Sequence, residues 1–311
     1  MDSRSADIVV PVYNNENTLR DLLGDLENLR LRLEADENII VRAIFVLDGT
    51  PDNSEATLLS LTDIEVIGEI YRLEKNVGAL EAVRFGVTQS KADATAICSA
   101  DRQEPISLMR DLIVRTLENE WMSCGVRQTR EDASIFSSLF WKFAQRQINP
   151  NIPSSGVDIF ALSARARDLV LASQSPSQPI TTLLFTFQRA PESIPYDRRI
   201  IDLNRKSGWS LRAKLSYAID TIFGFSELPM KLAYRVVLAQ ILIMIATFLG
   251  LCSTFLTNSS PNLSALAIVA LSFTLTLTFL AMIILAYVRQ IYLANTRSVQ
   301  PPATVIFRQE S

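Results

Sequence analysis

The first two hundred or so residues alternate short apolar runs with stretches whose apolar positions recur every three or four residues. Ile8 to Val12, Ile39 to Leu47, Glu65 to Leu73 and Ala94 to Ser99 read as strands. Between them, Glu16 to Glu34, Ser54 to Leu61, Gly78 to Gln89 and Pro105 to Asn119 carry the helical period. This strict alternation predicts an α/β domain built on a parallel, doubly wound sheet. In such sheets ligands bind beyond the carboxyl ends of the strands, so the residues just after each strand are the ones to examine for chemistry.

The pattern changes in the last third of the chain. From Val236 to Val288 there is no Asp, Glu, Lys or Arg, and the apolar span is interrupted only by Thr257-Asn258-Ser259-Ser260-Pro261-Asn262. Each half, roughly Val236 to Leu256 and Ser264 to Val288, exceeds the ~20 residues needed to cross a ~30 Å hydrocarbon core, which predicts a two-helix transmembrane hairpin. Lys231 and Arg235 precede it and Arg289 and Arg297 follow it, whereas the turn is uncharged, so both termini are expected in the cytoplasm. Met1 to Asp7 is polar and does not read as a signal peptide. The expected organisation is a cytoplasmic domain over 1–195, basic interfacial helices over 196–232, two spans over 233–290 and a cytoplasmic tail over 291–311, in a multi-pass protein of the inner cell membrane.

Composition narrows the chemistry. At 48% hydrophobic residues the chain is too apolar to be disordered, and a net charge of -3 provides no broad basic field for nucleic acid. Histidine is absent, which excludes Ser-His-Asp and Cys-His catalysis, His-ligated zinc and haem. Cys98, Cys124 and Cys252 lie far apart in apolar surroundings, as buried thiols rather than a zinc site or disulfide framework. Carboxylates, Lys, Arg, Tyr and a metal must carry any reaction.

Polar clusters stand at four successive strand ends: Pro11-Val12-Tyr13-Asn14-Asn15-Glu16, Asp48-Gly49-Thr50, Asn76-Val77-Gly78 and Ser99-Ala100-Asp101-Arg102-Gln103-Glu104-Pro105. Singly, each reads as a turn or helix cap. Together, in this order and with Ser207-Gly208-Trp209 and Phe225-Ser226-x-x-Pro229 before the apolar span, they make the chain resemble family-2 glycosyltransferases of the GT-A fold. Within that family it is similar to the polyprenyl-phosphate glycosyltransferases of the dolichyl-phosphate mannose synthase type. The resemblance implies a GT-A, Rossmann-like, mostly parallel sheet followed by interfacial amphipathic helices and a transmembrane hairpin. It also implies an inverting transfer of sugar from a nucleotide-sugar to a polyprenyl phosphate of undecaprenyl type.

The same resemblance assigns residues. Pro11, Tyr13, Asn14, Glu16, Asp48, Asn76, Gly78, Ser99 and Ala100 are expected at the donor, and Asp101 and Gln103 at a divalent ion, Mg2+ or Mn2+. Two departures stand out. Where the family has paired acids, this chain has Leu47-Asp48 and Ser99-Ala100-Asp101, so each first carboxylate is lost. Arg127 and Arg130, after the apolar run Trp121 to Cys124, are expected to bind a phosphate, by bidentate hydrogen bonds. Asp158, in Ser155-Gly156-Val157-Asp158, is expected in an acid-base or orienting role, and Asp101, Asp158, Arg127 and Arg130 make up the expected catalytic set.

Arg198, Arg199, Arg205, Lys206, Arg212 and Lys214 form a basic cluster ahead of the spans, able to hold anionic headgroups. Arg199, Arg205, Lys206 and Ser207 are the expected acceptor-phosphate residues. Leu211, Leu215, Ile219, Ile222 and Phe223 repeat at helical spacing, as in an interfacial helix. Phe136, Leu139, Phe140 and Phe143 form another apolar stripe, which suits either the core or lipid. Two other functions stay open at this level: a same-fold enzyme with a glycolipid or polysaccharide acceptor, and a non-catalytic membrane scaffold that has lost its acids. The nucleotide-sugar, the lipid and the membrane are the expected partners, and a homo-oligomer is left open.

Overall fold

β1 (Arg4–Val12) and β2 (Ile39–Leu47) are buried on both faces for most of their length, as only central strands of a sheet covered by helices on both sides can be. The computed structural model describes residues 3–128, 135–173, 179–199, 211–256, 263–296 and 301–309. Around these two strands the elements follow the predicted alternation: α1 (Glu16–Glu37), α2 (Ser54–Leu59), β3 (Ile67–Leu73), α3 (Ala79–Gln89), β4 (Ala94–Ile97) and α4 (Ile106–Asn119). The chain continues through β5 (Met122–Arg127), α5 (Ile135–Gln147), β6 (Phe160–Ser163), α6 (Ala164–Ala172), α7 (Ile180–Leu183) and β7 (Glu192–Tyr196). It ends with three helices, α8 (Leu211–Phe225), α9 (Leu228–Leu256) and α10 (Leu263–Thr296), and a last strand, β8 (Ala303–Arg308).

The sheet has eight strands in the order β7-β5-β6-β4-β1-β2-β3-β8. β1 to β4 are mutually parallel where they pair, so their carboxyl ends share one edge. β6 runs antiparallel to β4 and β5, and β7 runs parallel to β5, which makes the sheet mixed rather than wholly parallel. Leu19, Leu22, Leu23, Leu26, Leu29 and Leu33 of α1 are buried at helical spacing in the main core. On the other face α3 comes very close, because a Cβ at Gly86 would collide with Val9 and crowd Val46. Glycine is what lets this helix sit against β1 and β2.

Two compact units make up the chain, Met1–Leu211 with Arg297–Ser311 and Arg212–Thr296. The expected boundary at 195 falls inside β7, which reaches Tyr196. The expected tail over 291–311 divides differently: α10 runs on to Thr296, and Ala303–Arg308 is an antiparallel edge strand on β3. Its Ile306 and Phe307 pack against the core, and Arg308 pairs with Glu69 at 2.7 Å. Sequence periodicity had no reason to join this segment to a strand more than two hundred residues earlier.

In the second unit, Leu228–Thr254 and Val269–Tyr292 are long and apolar enough to cross a membrane. At 1.5 Å per residue α9 and α10 measure about 44 and 51 Å, so each outruns the hydrocarbon core and the helical stretches predicted from composition. They pack together, and Thr276 donates to Gln240 Oε1 across them at 3.2 Å. Arg289, counted above as a flanking charge, is paired: its Nη1 lies 2.7 Å from the nearly buried Asp220 of α8. A chain ending at Gln300 should lose the contribution of Ile306 and Phe307, about 2 kcal/mol for two half-buried side chains. Urea denaturation of the first unit checks this, and an unchanged midpoint would mean that β8 contributes nothing to the sheet's stability.

Candidate active site

Because β1 to β4 are parallel, the loops that follow them meet at one edge of the sheet, and side-chain hydrogen bonds lock them together. After β1 the chain turns through Asn14, at φ 58°, whose N–H donates to Thr50 Oγ1 at 2.8 Å. The N–H of Asn15 donates to Ser54 Oγ at 3.2 Å, and that of Glu16 to Asp52 at 2.9 Å. Glu16 returns the contact by accepting from the N–H and the side-chain amide of Asn53. Burial alone would raise the Asp52 carboxyl, but hydrogen bonds from Ser54, Thr50 and the Glu16 N–H hold it below the usual carboxylate range.

Asp48 ends the second strand and ties it to the loop after the third. Its two carboxylate oxygens accept the N–H groups of Val77, at 2.7 Å, and Gly78, at 2.9 Å. Burial raises this carboxyl and the two N–H groups work against the rise. The preceding residue, Leu47, lies in the hydrophobic core, so an acid at that position would be buried among apolar side chains. The following residue, Gly49, has φ +59°, and a Cβ there would strike the backbone of Asn76. The two loops therefore approach as closely as backbone allows.

After β4, Asp101 accepts from Ser99 Oγ at 2.8 Å and from the Gln103 N–H at 3.3 Å. Arg102, at φ 58°, turns away from the cleft to pair with Asp21 at 2.6 Å and Asp25 at 2.8 Å on α1. Thr18 of the same helix donates to the Ala100 carbonyl at 2.7 Å. The acidic turn is thus pinned from behind. Pro11, Tyr13, Asp48, Ser99, Ala100 and Asp101 line one cleft, together with Val12, Asn15 and Ala79. Six of the expected site residues converge there, while Asn14, Glu16 and the Asn76–Gly78 backbone knit the loops around it. The ring of Tyr13 is 48% exposed at the cleft, free to lie against a ligand.

Beside this cleft the geometry joins residues that the sequence kept apart. Arg127 and Asp158, expected in separate roles, form an ion pair, and Arg127 Nε also donates to the Tyr196 hydroxyl at 3.2 Å. Burial, then the charge of Glu104, pushes the Tyr196 hydroxyl up to about 12. Glu104 is itself 7% exposed, and burial followed by the charge of Asp101 pushes its carboxyl up to about 7, with Arg198 opposing. The exposed Arg199 donates its N–H to the Gln103 carbonyl at 2.8 Å. Arg130, Arg205, Lys206 and Ser207 lie outside the described residues.

Sequence reasoning passed over Asn15, Tyr196 and Glu104. Asn15 and Glu104 stood inside the quoted motifs, and their polarity next to a strand end was the available signal. Tyr196 had none, since its place beside Arg127 depends on the β5–β7 pairing. On α5, Leu139 is exposed while Phe140 and Phe143 are half-buried, so the stripe is not a wholly buried core face; the side chain of Phe136 lies outside the described residues. Trp141 packs edge-on against Phe140 and covers Gly156.

Substituting Asp48→Asn replaces an acceptor pair with one oxygen and one N–H donor, leaving the Val77 or Gly78 N–H without its partner. Stability should fall by about 1–3 kcal/mol. Urea denaturation of the variant is the check, and an unaltered midpoint would show that the two bonds do not hold the loops.

The model of glycosyl transferase family 2 matches residues 7–163, from the first strand through the last residue of β6. A putative glycosyltransferase, CsbB, of Bacillus subtilis (strain 168) is 24% identical over 248 residues, which covers 78% of this chain and 74% of that protein. An undecaprenyl-phosphate 4-deoxy-4-formamido-L-arabinose transferase of Pseudomonas fluorescens (strain Pf0-1) is 29% identical over 194 residues, covering 60% and 55%. Among solved structures, mannosyl-3-phosphoglycerate synthase from Rubrobacter xylanophilus superposes with a TM-score of 0.50 at 13% identity over 70% of this chain and 71% of that one, a likeness of fold. With the cleft and the loops that wall it inside the matched segment, the chain belongs to glycosyl transferase family 2 and has the GT-A type of α/β sheet.

Proposed function

We propose that this chain transfers a sugar, with inversion, from a nucleotide-sugar to a polyprenyl phosphate at the cytoplasmic face of the cell membrane. The observation that carries the reading is the convergence of Asp48, Asp101 and Tyr13 in one cleft of a family-2 glycosyltransferase. The named activity of the Pseudomonas relative supports a lipid phosphate as acceptor.

The second unit supports the membrane. Leu242, Phe248, Leu249, Met282 and Leu285 are each 59% to 70% exposed, an apolar surface that water does not tolerate and a bilayer does. Because the first unit takes chain from both sides of the helical pair, two crossings return β8 to the side where β1 to β7 lie. That connectivity supports both termini on one face, and the uncharged turn supports the opposite face for residues 257–262.

The residues divide the work as follows. Pro11, Tyr13, Ser99 and Ala100 shape the donor cleft, and Asp48 with the Asn14, Glu16, Asn76 and Gly78 backbone keeps its loops in register. The donor set around Asp101 is all oxygen, so hard divalent ions fit, and Asp101 and Gln103 would hold Mg2+ or Mn2+. Such an ion, when bound, supplies positive charge beside the departing diphosphate. An oxygen of the acceptor phosphate attacks the anomeric carbon as the bond to the diphosphate breaks, which releases a nucleoside diphosphate. A phosphate monoester has a second pKa near 6, so the acceptor is largely dianionic at neutral pH and needs little help from a base. Asp158 then serves by holding the guanidinium of Arg127, and Arg127, Arg130, Arg199, Arg205, Lys206 and Ser207 bind phosphate.

Purified protein in membrane vesicles, given a panel of nucleotide-sugars and undecaprenyl phosphate, tests this reading by the mass of the product lipid. A glycosyl-phospholipid should form only when the donor reaches the cytoplasmic face. Asp101→Asn should lower the rate by orders of magnitude, since it removes the carboxylate nearest the leaving charge, an effect worth several kcal/mol. Equal rates with donor confined to the opposite face, or a fully active Asp101→Asn protein, would contradict it.

A further inference from the structure

Glu104 is a buried acid beside the cleft. It follows Gln103 directly and is 7% exposed, and its Oε2 has no hydrogen-bond partner among the described residues. Its other oxygen, Oε1, lies 3.8 Å from Arg198 Nε, an ion pair too long to be a hydrogen bond, and that Nε is itself buried without a hydrogen-bond partner among the described residues. Buried carboxylates are ordinarily paired and hydrogen-bonded, because stripping one of water without a partner is costly. Here half of the carboxylate is left waiting.

Its surroundings indicate what it waits for. The charges of Asp101, Arg198, Asp158 and Arg127 act on Glu104, and Glu104 acts on Tyr196. Within that group Asp158 is already matched by Arg127, which also binds Tyr196. Among the described residues, this group holds three carboxylates and two guanidinium groups. The backbone keeps Glu104 in place, because the N–H of Arg199 donates to the Gln103 carbonyl and the following residue is Pro105. Five residues earlier, the acid that the family pairs with Asp101 is replaced by Ser99, whose hydroxyl donates to Asp101 rather than adding charge.

We propose that Glu104 supplies the second carboxylate of the divalent-cation site, in place of the one that Ser99 cannot supply. The inference rests on the cation site at Asp101 and Gln103 proposed above. Ser99 orients Asp101 through its hydroxyl, and Glu104 brings the charge from the other side of Gln103, directly or through a bound water. A hard cation prefers such oxygen ligands, and its charge satisfies the oxygen that no donor among the described residues reaches. A plainer role is also testable: Glu104 could serve only to anchor Arg198.

Mn2+ binding to the full-length protein, followed by the loss of the free-ion electron paramagnetic resonance signal, separates these roles without any turnover. Wild type should bind Mn2+, Glu104→Gln should raise the dissociation constant at least tenfold, and Ser99→Asp added to Glu104→Gln should restore it to within about threefold. An unchanged constant in Glu104→Gln would overturn the proposal, leave the cation site standing and reduce Glu104 to an anchor for Arg198. No Mn2+ binding by wild type would overturn both. If Glu104→Gln does not fold, Ser99→Asp alone decides: a site that already has two acids should tighten less than threefold, and tightening of tenfold or more would show that the native site lacks its second acid.

Discussion

One buried carboxylate joins two of the loops that wall the cleft, and a third is fastened to them. Asp48 accepts two backbone N–H groups from the loop after β3, and Gly49 beside it leaves no room for a side chain against Asn76. These contacts fix the end of β2 to the start of α3. The loop after β1 is in turn fastened to the loop after β2 through Thr50, Asp52 and Ser54. A parallel sheet brings strand ends together, and this web of short polar contacts ties the three loops after β1, β2 and β3 into one wall. The acid expected at the donor is thus first a structural acid here, with both oxygens engaged by backbone.

The acidic turn after β4 follows a different logic. Arg102 and Thr18 hold it to α1 from behind, so Asp101 presents its charge without the loop itself being free to adapt. The departures from the family's paired acids then differ in kind. Leu47 is explained by packing, since its side chain completes the core beneath Asp48. Ser99 is explained by orientation, since its hydroxyl aims Asp101. Neither requires the cleft to have lost its chemistry, which weakens the view of the chain as an inert scaffold.

Much of this was legible from the residues. The limits of β2 and α4 follow almost directly from apolar periodicity, because local pattern and tertiary burial agree there. Six of the residues picked from strand ends do line one cleft, because the Asp-Gly and Ser-x-Asp clusters occupy the positions that a parallel sheet must bring together. What stayed hidden is long-range. β8 joins β3 from the far end of the chain, Tyr196 reaches Arg127 only because β7 pairs with β5, and Arg289 of α10 is neutralised by Asp220 of α8. No period or spacing records such contacts, since each depends on segments whose separation in sequence is unrelated to their distance in space.

The central claim is that a nucleotide-sugar occupies the cleft walled by the loops after β1, β2 and β4. Hydrogen–deuterium exchange of the full-length protein, with and without each of a panel of nucleotide-sugars in the presence of Mn2+, addresses it most directly. The sugar nucleotide that binds should slow exchange in peptides covering residues 11–16, 48–50 and 99–104, while β8 keeps its rate. Protection that spares those three loops and appears elsewhere on the sheet domain would contradict it.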